Sequence, residues 1–193
     1  MAEVANFNLG QFQQKIKGAV RPNLFQVTHG FPGGGLTAPE GDYVSLFCKS
    51  AALPATSVGT VELPFRGRVI KVPGDRTFEN WTATFYVDDA FSLRSSYEKW
   101  IDLTNRVNAN VSDVATYQEI LQDIEVQQLD KYGNVGSVRS LRTYKLFQAF
   151  PVSVSQITVA YDNNDSYEEF DVEFAYQYFT TEGGAGTNNM AAI

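Results

Sequence analysis

Residues 170–179 read FDVEFAYQYF. Phe170, Val172, Phe174, Tyr176 and Tyr178 alternate with Asp171, Glu173, Ala175 and Gln177. A period of two describes a strand with one face in a core and the other in water. The wet face is acidic, and so is the preceding DNNDSYEE (162–169); no Lys or Arg occurs from Asp162 to Glu173. The stretch sets two expectations: a β-rich fold, and a concentrated negative surface.

Working outward, QITVAY (156–161) and residues 168–179 pair as a final hairpin across the acidic turn. Phe150-Pro151 breaks the chain before it. Residues 117–128, YQEILQDIEVQQ, are ambiguous by period. The turn signal DKYGN (130–134), followed by 138–150, favours a strand over 120–129. TFENWTATFYV (77–87) reads as a strand, with Trp81, Ala83, Phe85 and Val87 on one face. The period then changes. Leu93, Tyr97, Trp100, Ile101 and Thr104 follow helical spacing, and Asp88-Asp89 stand where a helix N-terminus favours negative charge, so a helix is expected over about 91–106.

Upstream, residues 58–63 and 67–72 read as short strands around a turn at Pro64, with a second turn at Pro73-Gly74-Asp75. VSLFCKS (44–50) alternates and reads as a strand. THGFPGGGLTAPEGDY (28–43) is rich in Gly and Pro and reads as an extended loop. Residues 24–27 are extended after Arg21-Pro22. Residues 1–20 form an N-terminal arm with room for a short helix, 21–179 the β-domain, and 180–193 a flexible tail. The sum is mainly β: an antiparallel sandwich or barrel with one flanking helix.

The chain has 193 residues, 44% hydrophobic and 13% aromatic, which suits one folded β-rich domain rather than disorder. Charged residues make up only 19%, mild support for surfaces covered by partners. The net charge of −7 is uneven: residues 1–74 are mildly basic and the remainder strongly acidic. Such a chain is poorly suited to holding nucleic acid, because phosphate binding runs on Lys and Arg. Charge asymmetry of this kind suits self-association of unlike surfaces. One cysteine, Cys48, allows neither an intrachain disulfide nor a CxxC metal knuckle. The first 20 residues lack the pattern of a secretory signal, and no run reaches the roughly 20 apolar residues of a membrane helix. The expectation is a protein made in the cytoplasm without a membrane anchor.

No constellation requires catalysis. His29, the sole histidine, lies in the Gly/Pro loop with no nucleophile paired to it. Cys48 reads as a small buried hydrophobe. Gly33-Gly34-Gly35 lacks the Lys-Ser/Thr of a phosphate loop. Asp162, Asn164, Ser166 and Glu173 echo a calcium loop, but Tyr167 stands where Gly is needed. No catalytic residue, metal site or cofactor is expected. Arg66, Arg68 and Lys71, interleaved with Phe65, Val69 and Ile70, read as an intersubunit contact or a solvated face rather than a nucleic-acid surface. Trp81 and Trp100 read as core.

Several segments in order resemble a family: RPNLFQV (21–27), FCKSAALPA (47–55), VPGDRTFENWTATFYVDD (72–89), the helix with Tyr97 and Trp100, and FPVSVSQITVAYDNNDSYEEFDVEFAYQYF (150–179). Together they resemble the major tail tube proteins of contractile-tailed, myovirus-type bacteriophages. The resemblance implies two packed antiparallel sheets with a flanking helix. It further implies hexameric rings stacked into a hollow tube, inner sheets joined into one barrel, and a tube that conducts DNA during genome ejection. The implied partners are other copies, the sheath, the baseplate and tail terminator proteins, and DNA passing without tight binding. The implied location is the virion tail, assembled in the host cytoplasm.

An acidic lining would let DNA slide, because Lys and Arg would act as brakes. Asp171 and Glu173 are the candidates for it; the sheath side or a neighbouring ring are the alternatives. Phe7, Phe12, Arg21, Phe31, Leu36 and Tyr43 are the candidate contacts between subunits or rings. A secretion-system or bacteriocin tube is the runner-up, followed by a carbohydrate-binding sandwich with Tyr176 and Tyr178 as platforms. An enzyme of unrecognised type comes third.

Overall fold

The computed structural model describes residues 9–16, 20–33, 42–112, 114, 116–131, 140–162 and 164–183. The elements in chain order are α1 (Leu9–Ile16), β1 (Phe25–His29), α2 (Tyr43–Phe47), β2 (Cys48–Ala51), β3 (Thr56–Phe65), β4 (Arg68–Phe78), β5 (Trp81–Tyr86) and α3 (Ser92–Thr104). A turn of 3-10 helix (Tyr117–Ile120) then leads into β6 (Gln122–Leu129), β7 (Ser140–Val154), β8 (Glu169–Ala175) and β9 (Tyr178–Glu182).

The antiparallel sheet runs β1-β6-β7-β8-β5-β2, with β9 also paired to β7. The long strand β7 belongs to both halves. Its residues 140–149 pair with β6, and residues 150–154 pair with β8. Val27, Ile124, Val126 and Leu146 from one half share a single buried cluster with Trp81, Phe85, Phe170, Val172 and Phe174 from the other. The sheet thus folds over a common core, giving the expected antiparallel sandwich with its two layers joined through β7. The helix α3 buries Leu93, Tyr97 and Trp100 of the expected stripe together with Leu103, while Ile101 and Thr104 are only half-buried. Trp100 Nε1 donates to the Ile120 carbonyl at 2.8 Å, so the indole N–H keeps a partner inside the core.

Several expectations need correction. Residues 44–50 are not one strand: α2 occupies Tyr43–Phe47 before β2 begins. Tyr43 stacks on Phe47 with ring centroids 4.5 Å apart, a four-residue spacing that only a helical turn brings together. Of the loop expected over 28–43, residues 28–29 belong to β1 and 43 to α2, 30–33 form neither helix nor strand, and 34–41 lie outside the described residues. The β3–β4 ribbon forms a separate two-stranded sheet.

Its turn is not at Pro64 but at Arg66-Gly67, with φ of 45° and 80°, the positive pair of a type I′ hairpin. Pro64 and Pro73 both sit within paired strands, opposite Val69 and Thr60. Proline is tolerated there because each ribbon strand has an outer edge that needs no donor. The run 77–87 is interrupted at Glu79-Asn80, between the ribbon and β5.

Phe150-Pro151 does not end a strand. β7 runs through it with a register shift between Pro151 and Ser153, just after Gln148 at φ 55°. The expected last hairpin is also absent. The described residues of 155–168 form no strand, and β8 and β9 pair with β7 instead. The alternation of FDVEFAYQYF holds to Tyr176, then inverts: Tyr178 is 36% exposed whereas Phe179 and Thr181 are buried. The described chain keeps strand structure to Glu182, past the expected start of the tail; 184–193 lie outside the described residues, as do 132–134 of the expected turn.

Candidate assembly surfaces

The layer β7-β8-β5-β2 carries the acidic face. Trp81, Ala83, Phe85, Phe170, Val172 and Phe174 point into the core, which turns Thr82, Thr84, Asp171 and Glu173 outward. Neutral donors hold the two carboxylates. Thr84 Oγ1 donates to Asp171 Oδ1 at 2.7 Å; Asn80 Nδ2 and Ser153 Oγ donate to Glu173 at 2.8 and 3.2 Å. Such donors fix the side chains without cancelling their charge. Lys49 on β2 pairs instead with Glu169, whose hydrogen bond raises the lysine pKa; the nearby Asp171 adds to the effect.

This layer has two free edges. β2 pairs only with β5, and residues 150–154 have β8 on one side and no strand on the other among the described residues. Each neighbouring pair in the layer is antiparallel. Strand directions therefore alternate over four strands, and the two edges run oppositely.

The ribbon supplies a second surface. Paired residues share a face, so Val61 and Val72, Leu63 and Ile70, and Phe65 and Arg68 lie together. Glu62 and Lys71, 3.5 Å apart, and Pro64 with Val69 lie on the other. Phe65 is 59% exposed and its apolar neighbours on that face lie between 40% and 52%. One face of the ribbon is thus apolar along both strands and exposed in the isolated chain. The sequence nominates Arg66, Arg68 and Lys71 with Phe65, Val69 and Ile70 as an intersubunit contact or a solvated face, but setting the turn at Pro64 hides the continuous apolar face. The alternation Val61, Leu63, Phe65 was the signal.

The sequence-nominated contacts fall in different places. Phe12 is exposed on α1, in line with Leu9 and Ile16. Arg21 is exposed, and its carbonyl accepts from Gln128 Nε2 at 2.7 Å. Phe31 is half-buried, with ring centroids 5.3 Å from Tyr97 and 5.8 Å from Trp100. Tyr43 donates through its hydroxyl to Asp88 at 3.2 Å. Phe7 and Leu36 lie outside the described residues. The platform reading is corrected. Tyr176 is buried, and Tyr178 stacks on Phe147 at 4.8 Å, leaving no open pair of rings.

The remaining polar groups are structural. Asp88 closes the start of α3, accepting from the Ser92 and Leu93 backbone N–H groups at 3.0 and 3.3 Å. Burial pushes its pKa up, but these hydrogen bonds outweigh it and the net direction is down. His29 sits at the end of β1, not in a loop. Its Nδ1–H donates to the Gly30 carbonyl at 2.8 Å, and its Nε2 accepts from Tyr97 at 2.7 Å. Burial among Phe31, Tyr97, Trp100 and Phe174 pushes its pKa down to about 4, against the opposing Gly30 bond. Burial likewise pushes the Cys48 thiol up to about 12. A neutral imidazole held between two fixed partners and an un-ionised thiol are poor material for catalysis. Among the described residues, no His, Cys, Asp and Glu group has metal-binding geometry.

Comparison with known proteins agrees with this architecture. The phage tail tube protein family model matches residues 20–182. The tail tube protein gp19 of Enterobacteria phage T4 is 27% identical over 159 residues, 82% of this chain and 90% of that protein. The tail tube protein of Serratia phage KSP90 is 28% identical over 82% of this chain and 86% of its own. A chain in the structure of the anti-feeding prophage tube-terminating cap shares the fold, with a TM-score of 0.60 at 17% identity, over 95% of this chain and all of that one. An acidic sheet with two open edges, a bare apolar ribbon and no catalytic geometry thus belong to a structural protein of the virion tail, and the chain is a member of the phage tail tube protein family.

Proposed function

We propose that copies of this chain close into rings by joining β2 of one copy to residues 150–154 of the next. The observation that carries this is the four-strand layer with oppositely running free edges. Because its directions alternate over an even number of strands, a β2 edge meets a 150–154 edge antiparallel at every seam. A ring of any size then keeps unbroken alternation and leaves no edge. The resemblance to phage tube proteins supports a ring of six copies.

In such a ring the acidic face becomes the inner wall. Asp171 and Glu173, held by Thr84, Asn80 and Ser153, would line the channel. DNA would pass without stopping, since a wall poor in free cations gives phosphates nothing to exchange counterions with. Rings stack through the ribbon into a tube that serves within a contractile sheath, between a baseplate and a terminator. The acidic wall favours DNA over protein cargo, and so a phage tube over a secretion tube.

Light scattering with negative-stain electron microscopy of the purified chain tests this. The expected result is a mass of six subunits, with hollow rings or tubes. A species that stays monomeric at high concentration, even with preformed tube ends added, would reject it.

A further inference from the structure

The ribbon and the segment 155–168 stand at opposite ends of the acidic layer. β2 and β5 continue, past residues 52–55 and 79–80, into the two ribbon strands, so the ribbon leaves the layer at its Trp81 end. The register pairs Trp81 with Phe174 and Tyr86 with Glu169. The chain entering β8 therefore arrives at the other end. There the Val87 N–H donates to the Glu168 carbonyl at 3.0 Å, and the Tyr86 and Tyr167 rings meet edge to face at 6.4 Å.

These two ends are unlike in charge. The ribbon holds Arg66, Arg68, Lys71 and Arg76 against Glu62 and Asp75. Residues 156–169 hold Asp162, Asp165, Glu168 and Glu169 with no Lys or Arg. Both ends are apolar and bare. Phe65 and Leu63 flank the ribbon tip, while Val159, Tyr161 and Tyr167 stand exposed beside a cleft of about 500 Å³ whose walls include Ile157, Ser166 and Glu168.

We infer that the ribbon tip of one copy, Phe65 with Arg66 and Arg68, docks in the 156–169 cleft of a second copy placed beyond the far end of its sheet. The inference rests on the tube reading and names the surface that receives the ribbon. Phe65 and Leu63 cover Val159 and Tyr167, and Arg66 and Arg68 meet Asp162, Asp165 and Glu168. The contact joins two different patches at opposite ends of one molecule. It therefore repeats along an axis rather than closing on itself, as stacking requires. Charge complementarity fixes the polarity, since ribbon to ribbon and cleft to cleft both repel.

Charge reversal tests the pairing. One variant carries Arg66→Glu and Arg68→Glu, a second Asp162→Arg and Asp165→Arg, and a third all four. Each single reversal is expected to raise the subunit concentration needed for tubes at least roughly tenfold, with ring mass and thermal melting unchanged. The fourfold variant is expected to return to within about threefold of the unmodified protein. Tubes from either single reversal at the unmodified concentration would overturn the inference, as would a fourfold variant no better than the singles. Rings persisting in every variant isolate that failure to the stacking surface. An unmodified protein that forms no rings overturns the tube reading, and this inference with it.

Discussion

His29 and Asp88 show how single polar groups are spent on the frame. His29 is held neutral in the folded protein, with its pKa moved from 6.5 down to about 4. Between those values the unfolded chain takes a proton that the fold refuses. The stability it contributes is therefore full above pH 6.5 and is lost as pH falls toward 4. Denaturant titrations of the protein and of His29→Gln should diverge in slope against pH only in that window; parallel profiles would count against a buried neutral ring. Asp88 serves two backbone N–H groups and the Tyr43 hydroxyl. Asp88→Ala should cost about 1–2 kcal/mol, read as a lower midpoint in urea, because it uncaps α3 and strips a partner from Tyr43. The role of His29 was not legible in the sequence, whereas the place of Asp88 was. His29 read as a loop residue because Gly30 and Pro32 follow it, and the four rings around it come from distant segments. Asp88 was read for its charge at the helix start, and its place there follows from that reading.

At the scale of elements, long regular patterns were readable and short ones were not. The α3 stripe of Leu93, Tyr97 and Trp100 and the β5 alternation of Trp81, Ala83 and Phe85 each have one buried face, so hydrophobic period and structure coincide. The ribbon has no buried face in the single chain, so its period had no core to report on, and two prolines argued for turns. Tyr43 and Phe47 were misread because alternation and a helical turn share several positions over so few residues. The ribbon yields a clean prediction. Leu63→Ser with Phe65→Ser should leave monomer stability within about 0.5 kcal/mol, since both side chains are already exposed. The same pair should abolish tube growth, as seen by sedimentation. By contrast, Trp100→Ala should cost about 3–5 kcal/mol in unfolding free energy through the cavity left under α3.

For the whole molecule, the features that make an isolated chain look unfinished share one use in the proposed tube. Two free edges, an acidic sheet face and a bare ribbon at one end are each a liability in a monomer. Closing the edges sideways and covering the ribbon lengthwise removes them, and leaves the carboxylates facing an enclosed space. The acidic alternation of 170–177 marks that face in the sequence alone, and its direction in an assembly is set by the ring. If it lines the channel, Asp171→Lys with Glu173→Lys should give tubes that retain duplex DNA at low salt and release it as salt rises, measured by co-sedimentation, whereas unmodified tubes retain none. The most direct test of the account is a cryo-electron microscopy reconstruction of assembled tubes. The expected map has β2 of one copy paired antiparallel with residues 150–154 of its neighbour, and Asp171 and Glu173 pointing into the channel. A map with those two side chains on the outer wall, or with the two edges apart, would contradict it.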